Sequence, residues 1–172
     1  MRLSSGVEWG LHCCVTLSQS QHPVPASRLA ELHGVPQPYL AKQLQALSRA
    51  NLVASTQGQA GGYELTRPAS QITALDVVVA IDGTEPAFRC TEIRQRGPLA
   101  ADPERCLLPC AIARAMATAE QAWRSALAEI TVADLAEQVD ADSGGTALER
   151  LQRWFSATTP SPASPSGPRG SR

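Results

Sequence analysis

Residues 26–66 constrain the fold more than any other stretch of the chain. Ala26 to about His33 sets Leu29, Ala30 and Leu32 at helical spacing. Gly34 follows, where a helix ends in a left-handed turn. Val35-Pro36-Gln37-Pro38 then turns the chain. Pro38 lies in the first turn of a further helix reaching about Ala50, with Leu40, Leu44 and Leu47 on its inner face. Two helices joined by a tight Gly-containing turn make a helix-turn-helix. The next residues form a hairpin. Leu52 to Thr56 reads as a strand, Gly58-Gln59-Ala60-Gly61-Gly62 as a turn, and Tyr63-Glu64-Leu65-Thr66 as the return strand. A hairpin placed directly after the second helix is the wing of a winged helix.

The flanking segments fit that frame. Ser4 or Ser5 to about Ser18 predicts a first helix, with Val7, Leu11, Cys14 and Val15 along one apolar face. His22-Pro23-Val24-Pro25 ends it. Ile72 to Asp82 predicts a helix stopped by Gly83. Residues 83–110 form a long loop rich in Pro, Gly and charge, and loops of that length are usually functional or disordered. In the helix expected over 111–130, Ile112, Met116, Ala119, Trp123, Ala126 and Ile130 recur in alternating steps of four and three. That is a heptad seam, suited to a partner helix or to packing within its own domain. Thr131 caps a shorter helix to about Val139, and Leu148 to Phe155 reads as a weak amphipathic turn. The expected fold is mainly α: a winged helix-turn-helix with a two-stranded β-wing and a long C-terminal dimerisation helix. The domains divide as 1–82 for the winged helix, 83–110 for a cysteine-bearing loop, 111–140 for the dimerisation helix and its short follower, and 141–172 for a weakly structured tail.

Charge sets limits on a nucleic-acid partner. The chain carries 15 basic and 16 acidic residues, a net charge of −1. Residues 1–70 hold five basic and three acidic side chains, a net +2. A DNA footprint is therefore local, built by placement and symmetry rather than bulk charge. On the recognition helix, Gln37, Tyr39, Lys42 and Gln43 are the polar groups near the N-terminal half. Glutamine can read adenine through a bidentate contact, while Lys and Tyr can hold phosphate or guanine. Arg2, Arg28 and Arg49 suit phosphate contacts, and Gln57 and Gln59 sit at the wing tip. A solvated polar face would have the same composition. No apolar run reaches the ~18 residues of a membrane span. Glu8 and His12 interrupt any signal-peptide core, so a cytoplasmic protein is expected.

Five cysteines without a secretion signal point to metal, thiol or redox chemistry rather than a disulfide framework. Cys13 and Cys14 are consecutive and read as small core residues. Cys90, Cys106 and Cys110 share one loop. Cys110 follows Pro109 at the start of the long helix, where the helix dipole favours a thiolate. Glu8 and His12 lie four apart and share a face of the first helix, as two ligands on one helix must. Ser5 and Glu8 also fit a capping box, which would give Glu8 a structural role instead. Trp9 points away from the apolar stripe. No base–orienter pair or substrate pocket supports an enzyme.

Several strings together resemble the Rrf2 family of bacterial winged-helix regulators. They are Met1-Arg2-Leu3-Ser4, Pro38-Tyr39-Leu40, Asn51-Leu52-Val53, the wing Gly58 to Tyr63, the Val77-to-Asp82 helix, the cysteine loop and Thr131-Val132-Ala133-Asp134-Leu135. The resemblance covers about residues 1–140. It implies double-stranded operator DNA as partner, a homodimer, and an iron–sulfur cluster held by three loop cysteines plus one further ligand. The chain departs from the common pattern. Its first two loop cysteines are far apart, Pro109 stands where some members have a ligand histidine, and Gln57 stands where many have arginine. Gly6-Val7-Glu8-Trp9, Leu11-His12-Cys13-Cys14, Arg28 to His33 and Cys90 to Leu99 instead resemble a redox-responsive subgroup. That likeness implies a [2Fe–2S] cluster across the dimer interface, with Cys90 and Cys110 from one subunit and Glu8 and His12 from the other. Trp9 would lie beside it as a switch, and Cys106 is the alternative to Cys110. The expected function is a DNA-binding regulator switched by that cluster. The alternative is a winged-helix repressor without a cluster, sensing through zinc or free thiols.

Overall fold

The computed structural model describes residues 3–58 and 61–157. Among them are seven α-helices and one two-stranded sheet. The elements run α1 (Ser5–Ser18), α2 (Ala26–His33), α3 (Gln37–Arg49), β1 (Val53–Thr56), β2 (Gly62–Leu65), α4 (Ala74–Asp82), α5 (Ala111–Ala128), α6 (Val132–Asp142) and α7 (Ala147–Ala157). Helices α1 and α2 have the bounds expected from their sequence, and the other boundaries shift by one or two residues, except that α6 continues three residues further.

Leucines that recur at helical spacing make the core. Leu29 of α2 and Leu40, Leu44 and Leu47 of α3 are fully buried, together with Val53, Ile72, Val77 and Val132. Full burial of each such side chain contributes about 1.5–3 kcal/mol. Helix α1 lies through this cluster. Its buried stripe is Gly6, Val7, Gly10, Cys13, Cys14 and Leu17, joined by Thr16, while Leu11 and Val15 are half-buried. The stripe is thus rotated from the one read in the sequence. The two glycines allow α3 and α4 to approach, and both cysteines face inward.

The wing is antiparallel, with Val53 opposite Leu65 and Thr56 opposite Gly62. A third segment joins it. Val24 and Tyr63 exchange backbone hydrogen bonds of 2.8 Å each. A Cβ on Gly62 would lie 2.4 Å from the Val24 carbonyl carbon, so this approach requires glycine. The wing is thereby fastened to the loop that precedes the helix-turn-helix.

Two threonine caps join α4 and α6. Thr73 and Thr131 each form a full capping box, with Asp76 and Asp134 respectively. The two caps lie side by side: Ala74 N–H donates to the Ile130 carbonyl and Val132 N–H to the Ile72 carbonyl, both at 2.8 Å. Residues 83–110 are largely irregular, with short 3-10 turns at Ile93–Gln95 and Pro103–Arg105. Helix α5 has no buried residue: Ile112 is 64 % exposed and Met116 41 %.

Over Leu148–Phe155 the expected weak turn is instead part of the 11-residue helix α7. Two aromatic contacts hold it. The Arg28 guanidinium stacks 3.8 Å from the Trp154 ring centroid, and Phe155 packs against the core cluster. The remainder of the expected tail, from residue 158 onward, lies outside the described residues. Among the described residues no helix is long and apolar enough to cross a membrane.

Candidate metal centre and nucleic-acid interface

The helix-turn-helix presents a polar surface at the start of α3. Gln37, Tyr39 and Lys42 are exposed there, Arg49 is exposed in the last turn, and Gln57 is exposed at the end of β1. Gln43 departs from expectation. It is only 6 % exposed and sits against α1, with its Oε1 2.6 Å from where a Cβ on Gly6 would lie. It lies on the buried side of α3 with Leu40, Leu44 and Leu47, so it packs α1 against α3 rather than meeting a groove. Arg28 is half-buried, pairs with Glu31 and lies beneath Trp154. Its buried Nη2 has no hydrogen-bond partner among the described residues. Arg2 and Gln59 lie outside the described residues.

The cysteines separate into two environments. Cys13 and Cys14 are fully buried in the core, and burial pushes both thiols up to about 12. They are inert small apolar residues at neutral pH. Cys90 is exposed, whereas Cys106 and Cys110 are half-buried. Cys110 is the N-cap of α5, and its sulfur accepts the Ala113 N–H at 3.3 Å. That hydrogen bond holds its thiol below the ordinary range, with further help from Ile112 N–H, a hydrogen bond from Cys90 and the Arg94 charge. Cys90 and Cys110 are therefore neighbours despite 19 intervening residues.

Arg94 holds this loop closed. Its Nε and Nη2 donate to Glu92 at 2.6 and 2.8 Å, and Nη2 also donates to the Leu108 carbonyl at 2.9 Å. The Ala101 N–H donates to the Arg94 carbonyl at 2.8 Å. The Glu92 carboxyl is held below its usual range chiefly by this bond to Arg94. The guanidinium also interacts with both Cys106 and Cys110. The sequence marked this arginine only as part of a string. Its clip spans 14 residues, which no local pattern reveals.

Glu8 and His12 lie on α1, Glu8 exposed and His12 likewise. The expected capping box at the start of α1 does not form. Ser4 is the N-cap and bonds to Asp82, while the Ser5 hydroxyl meets Tyr39. Glu8 therefore makes no hydrogen bond or ion pair among the described residues, and it remains available as a ligand. His12 belongs to a ring cluster: centroids lie 6.3 Å from Trp9 to His12, 6.1 Å from Trp9 to His33 and 5.8 Å between the two histidines. Burial, then the neighbouring His12, lowers the His33 pKa. Trp9 is half-buried and packs against the core edge, rather than pointing wholly outward. Among the described residues no three His, Cys, Asp or Glu side chains gather closely enough to hold a metal ion within one chain.

The family model described as "Rrf2: Iron-dependent Transcriptional regulator" matches residues 3–138. The chain belongs to the Rrf2 family. Like its relatives, it is a DNA-binding transcriptional regulator and not an enzyme. It is 33 % identical over 141 residues to the putative HTH-type transcriptional regulator MT1325 of Mycobacterium tuberculosis, covering 79 % of this chain and 81 % of that one. It is 34 % identical over 92 residues to the HTH-type transcriptional regulator IscR of Photorhabdus laumondii, a match spanning 52 % of this chain and a little over half, 56 %, of that relative. The winged-helix fold is that of CymR, the global cysteine regulator of B. subtilis, at a TM-score of 0.62 and 22 % identity, covering 80 % of this chain and 98 % of that one. IscR of T. potens gives a TM-score of 0.61 at 21 % identity, covering 83 % and 90 %.

Proposed function

We propose that this Rrf2 regulator works as a homodimer whose affinity for a pseudo-palindromic operator follows the state of a [2Fe–2S] cluster held between subunits. Cys90 and Cys110 of one protomer form one half of the site. Glu8 and His12 of the partner subunit complete it. The observation that carries this reading is the pairing of donors. Cys110 caps a helix N-terminus near Cys90, whose sulfur accepts the Glu92 N–H at 3.4 Å, while Glu8 and His12 stand exposed on α1. Each chain thus offers two half-sites, and among its described residues no three such donors gather into a complete site.

The donor set fits such a group. Thiolates bind iron, and the Ala113 N–H and Arg94 stabilise the thiolate of Cys110 before any metal arrives. A bound [2Fe–2S] cluster supplies one-electron chemistry, and a histidine ligand raises its potential relative to thiolates alone. Residues 83–110 serve as the cluster loop. The α5 seam serves as the dimer contact, because Ile112 and Met116 lie on its exposed surface and a second copy would cover them. Trp9 lies against His12, where a change at the ligand reaches its ring. Gln37 and Lys42 read the DNA, with Tyr39, Arg49 and Gln57 on its backbone; Arg28 joins them only if it leaves Trp154. Two such surfaces related by a two-fold axis match two half-sites one helical turn apart.

The test is anaerobic purification followed by a visible spectrum, iron and zinc analysis, and binding to a 30-bp duplex selected by the wild-type protein from a random library. Charge-transfer bands and unequal affinities of the oxidised and reduced forms are expected. A colourless, zinc-loaded protein would replace the cluster reading with the zinc one, and equal affinities would remove the switch.

A further inference from the structure

The first turn of α1 is fastened to the recognition helix. Ser5 Oγ and Tyr39 Oη lie 2.9 Å apart, joining residues 34 positions distant. One residue on, Gly6 seats against the Gln43 amide, again on α3. One residue back, Ser4 N–H donates to Asp82 Oδ2 at 2.8 Å, and its hydroxyl bonds the other carboxylate oxygen. The same helix carries Glu8, Trp9 and His12. At a rise of about 1.5 Å per residue, Glu8 stands roughly 5 Å and His12 roughly 10 Å along the axis from Ser5.

We infer that Ser5 is a positioning residue for DNA binding: its hydroxyl orients the Tyr39 hydroxyl toward a DNA phosphate and ties that contact to the movement of α1. The chemistry of the pair sets the direction. A phosphate oxygen only accepts, so Tyr39 must donate to it. Tyr39 is partly exposed at 37 %, so its hydroxyl can reach a ligand. Ser5 then donates its proton to the Tyr39 oxygen. This leaves the phenolic proton directed outward, and a chain of two hydrogen bonds strengthens both. A displacement of α1 lengthens the Ser5–Tyr39 bond and releases the phenol to rotate. The redox-coupled half of this inference rests on the cluster reading above; the positioning half does not.

The experiment measures affinity for the selected 30-bp duplex with wild type, Ser5→Ala, Tyr39→Phe and the double variant, as full-length protein. Each is assayed oxidised, reduced and metal-free. In metal-free protein each single variant weakens binding about fivefold, and the double variant weakens it no further than either. Additive losses, or no loss with Ser5→Ala, overturn the positioning role. In wild type the ratio of oxidised to reduced affinity reads the switch alone. With that ratio different from one, Ser5→Ala reduces it at least threefold while the visible spectrum and iron content stay unchanged. An unchanged ratio in Ser5→Ala overturns the coupling. A wild-type ratio of one instead removes the cluster switch, and the metal-free series still decides the role of Ser5.

Discussion

The winged helix buries its apolar residues within one protomer, whereas the cysteine loop and α5 leave theirs outside. Leu29, Leu40, Leu44 and Leu47 are fully buried, and the wing, α4 and α6 are tied to them by reciprocal backbone bonds. By contrast, Leu99 is 94 % exposed, Leu107 83 % and Ile112 64 %. Order in the loop comes from polar clips: Arg94 to Glu92 and Leu108, and Cys110 to Ala113. The first region satisfies its own hydrophobic and hydrogen-bonding needs. The second leaves apolar groups and the Cys90 thiol exposed, as suits a surface completed by another copy.

The largest expected effects therefore concern function in the open region. Cys90→Ala and Cys110→Ala should each reduce bound iron and visible absorbance more than tenfold. In metal-free protein, Cys90→Ala should stay within about 0.5 kcal/mol of wild type, as for a surface substitution, while Cys110→Ala should cost about 0.5–2 kcal/mol through the lost α5 cap. Cys106→Ala should retain its iron. Iron lost from Cys106→Ala but kept by Cys110→Ala would exchange the two ligand assignments. On α5, the double change Ile112→Glu and Met116→Glu should raise the dimer dissociation constant at least about 100-fold, since two apolar contacts of about 1.5–3 kcal/mol are lost and two charges placed at the seam. Sedimentation equilibrium reads this directly. A dimer of unchanged strength would return the seam to packing within its own domain.

The same division explains what could be read from the sequence. Periodicity is local, so Leu40, Leu44 and Leu47 announced the inner face of α3, and Gly34 and the Gly58–Gly62 turn announced its neighbours. The rotated stripe of α1 was harder to see. Glycine is not counted as apolar, yet Gly6 and Gly10 lie buried because α3 and α4 pass so close. Gln43 was misread for the complementary reason: a polar side chain on an amphipathic helix looks solvated until its neighbour is known. For the metal centre, spacing alone drew attention to Glu8, His12 and the loop cysteines. Only family resemblance pairs Cys90 with Cys110, and their adjacency across the loop depends on contacts such as Arg94 to Leu108 that leave no periodic trace. Helix α7 is longer than its local pattern implies because Trp154 on Arg28, Phe155 on the core and the Leu148 N–H on Asp140 hold it from outside.

A matched pair of leucines measures the contrast within the protomer. Leu44→Ala should cost about 2–5 kcal/mol, because it empties a site in the closed core. Leu107→Ala should change stability by less than about 0.5 kcal/mol. Urea unfolding followed by circular dichroism distinguishes them, provided that the dependence on denaturant is equal in the two variants. Similar losses at both sites would mean that Leu107 is covered in the assembled protein, and the loop would then be part of the interface.

The smallest effect probes the join between α4 and α6, where the Thr73 and Thr131 caps lie side by side. The Thr131 hydroxyl, followed by its N–H, holds the Asp134 carboxyl below its ordinary range. A carboxyl whose pKa is lower in the folded chain than in the unfolded one stabilises the fold in its ionised form. The contribution is therefore fully present above the unfolded value of about 3.9 and is lost as pH falls through the lower, folded value. Asp134→Asn removes this titration, so thermal stability of the variant should fall less steeply on acidification below about pH 4. At neutral pH the variant should be slightly less stable than wild type, because an amide accepts the Thr131 hydrogen bonds more weakly than a carboxylate does. An acid limb identical to that of wild type would mean that the α6 cap forms no part of what unfolds cooperatively with the winged helix.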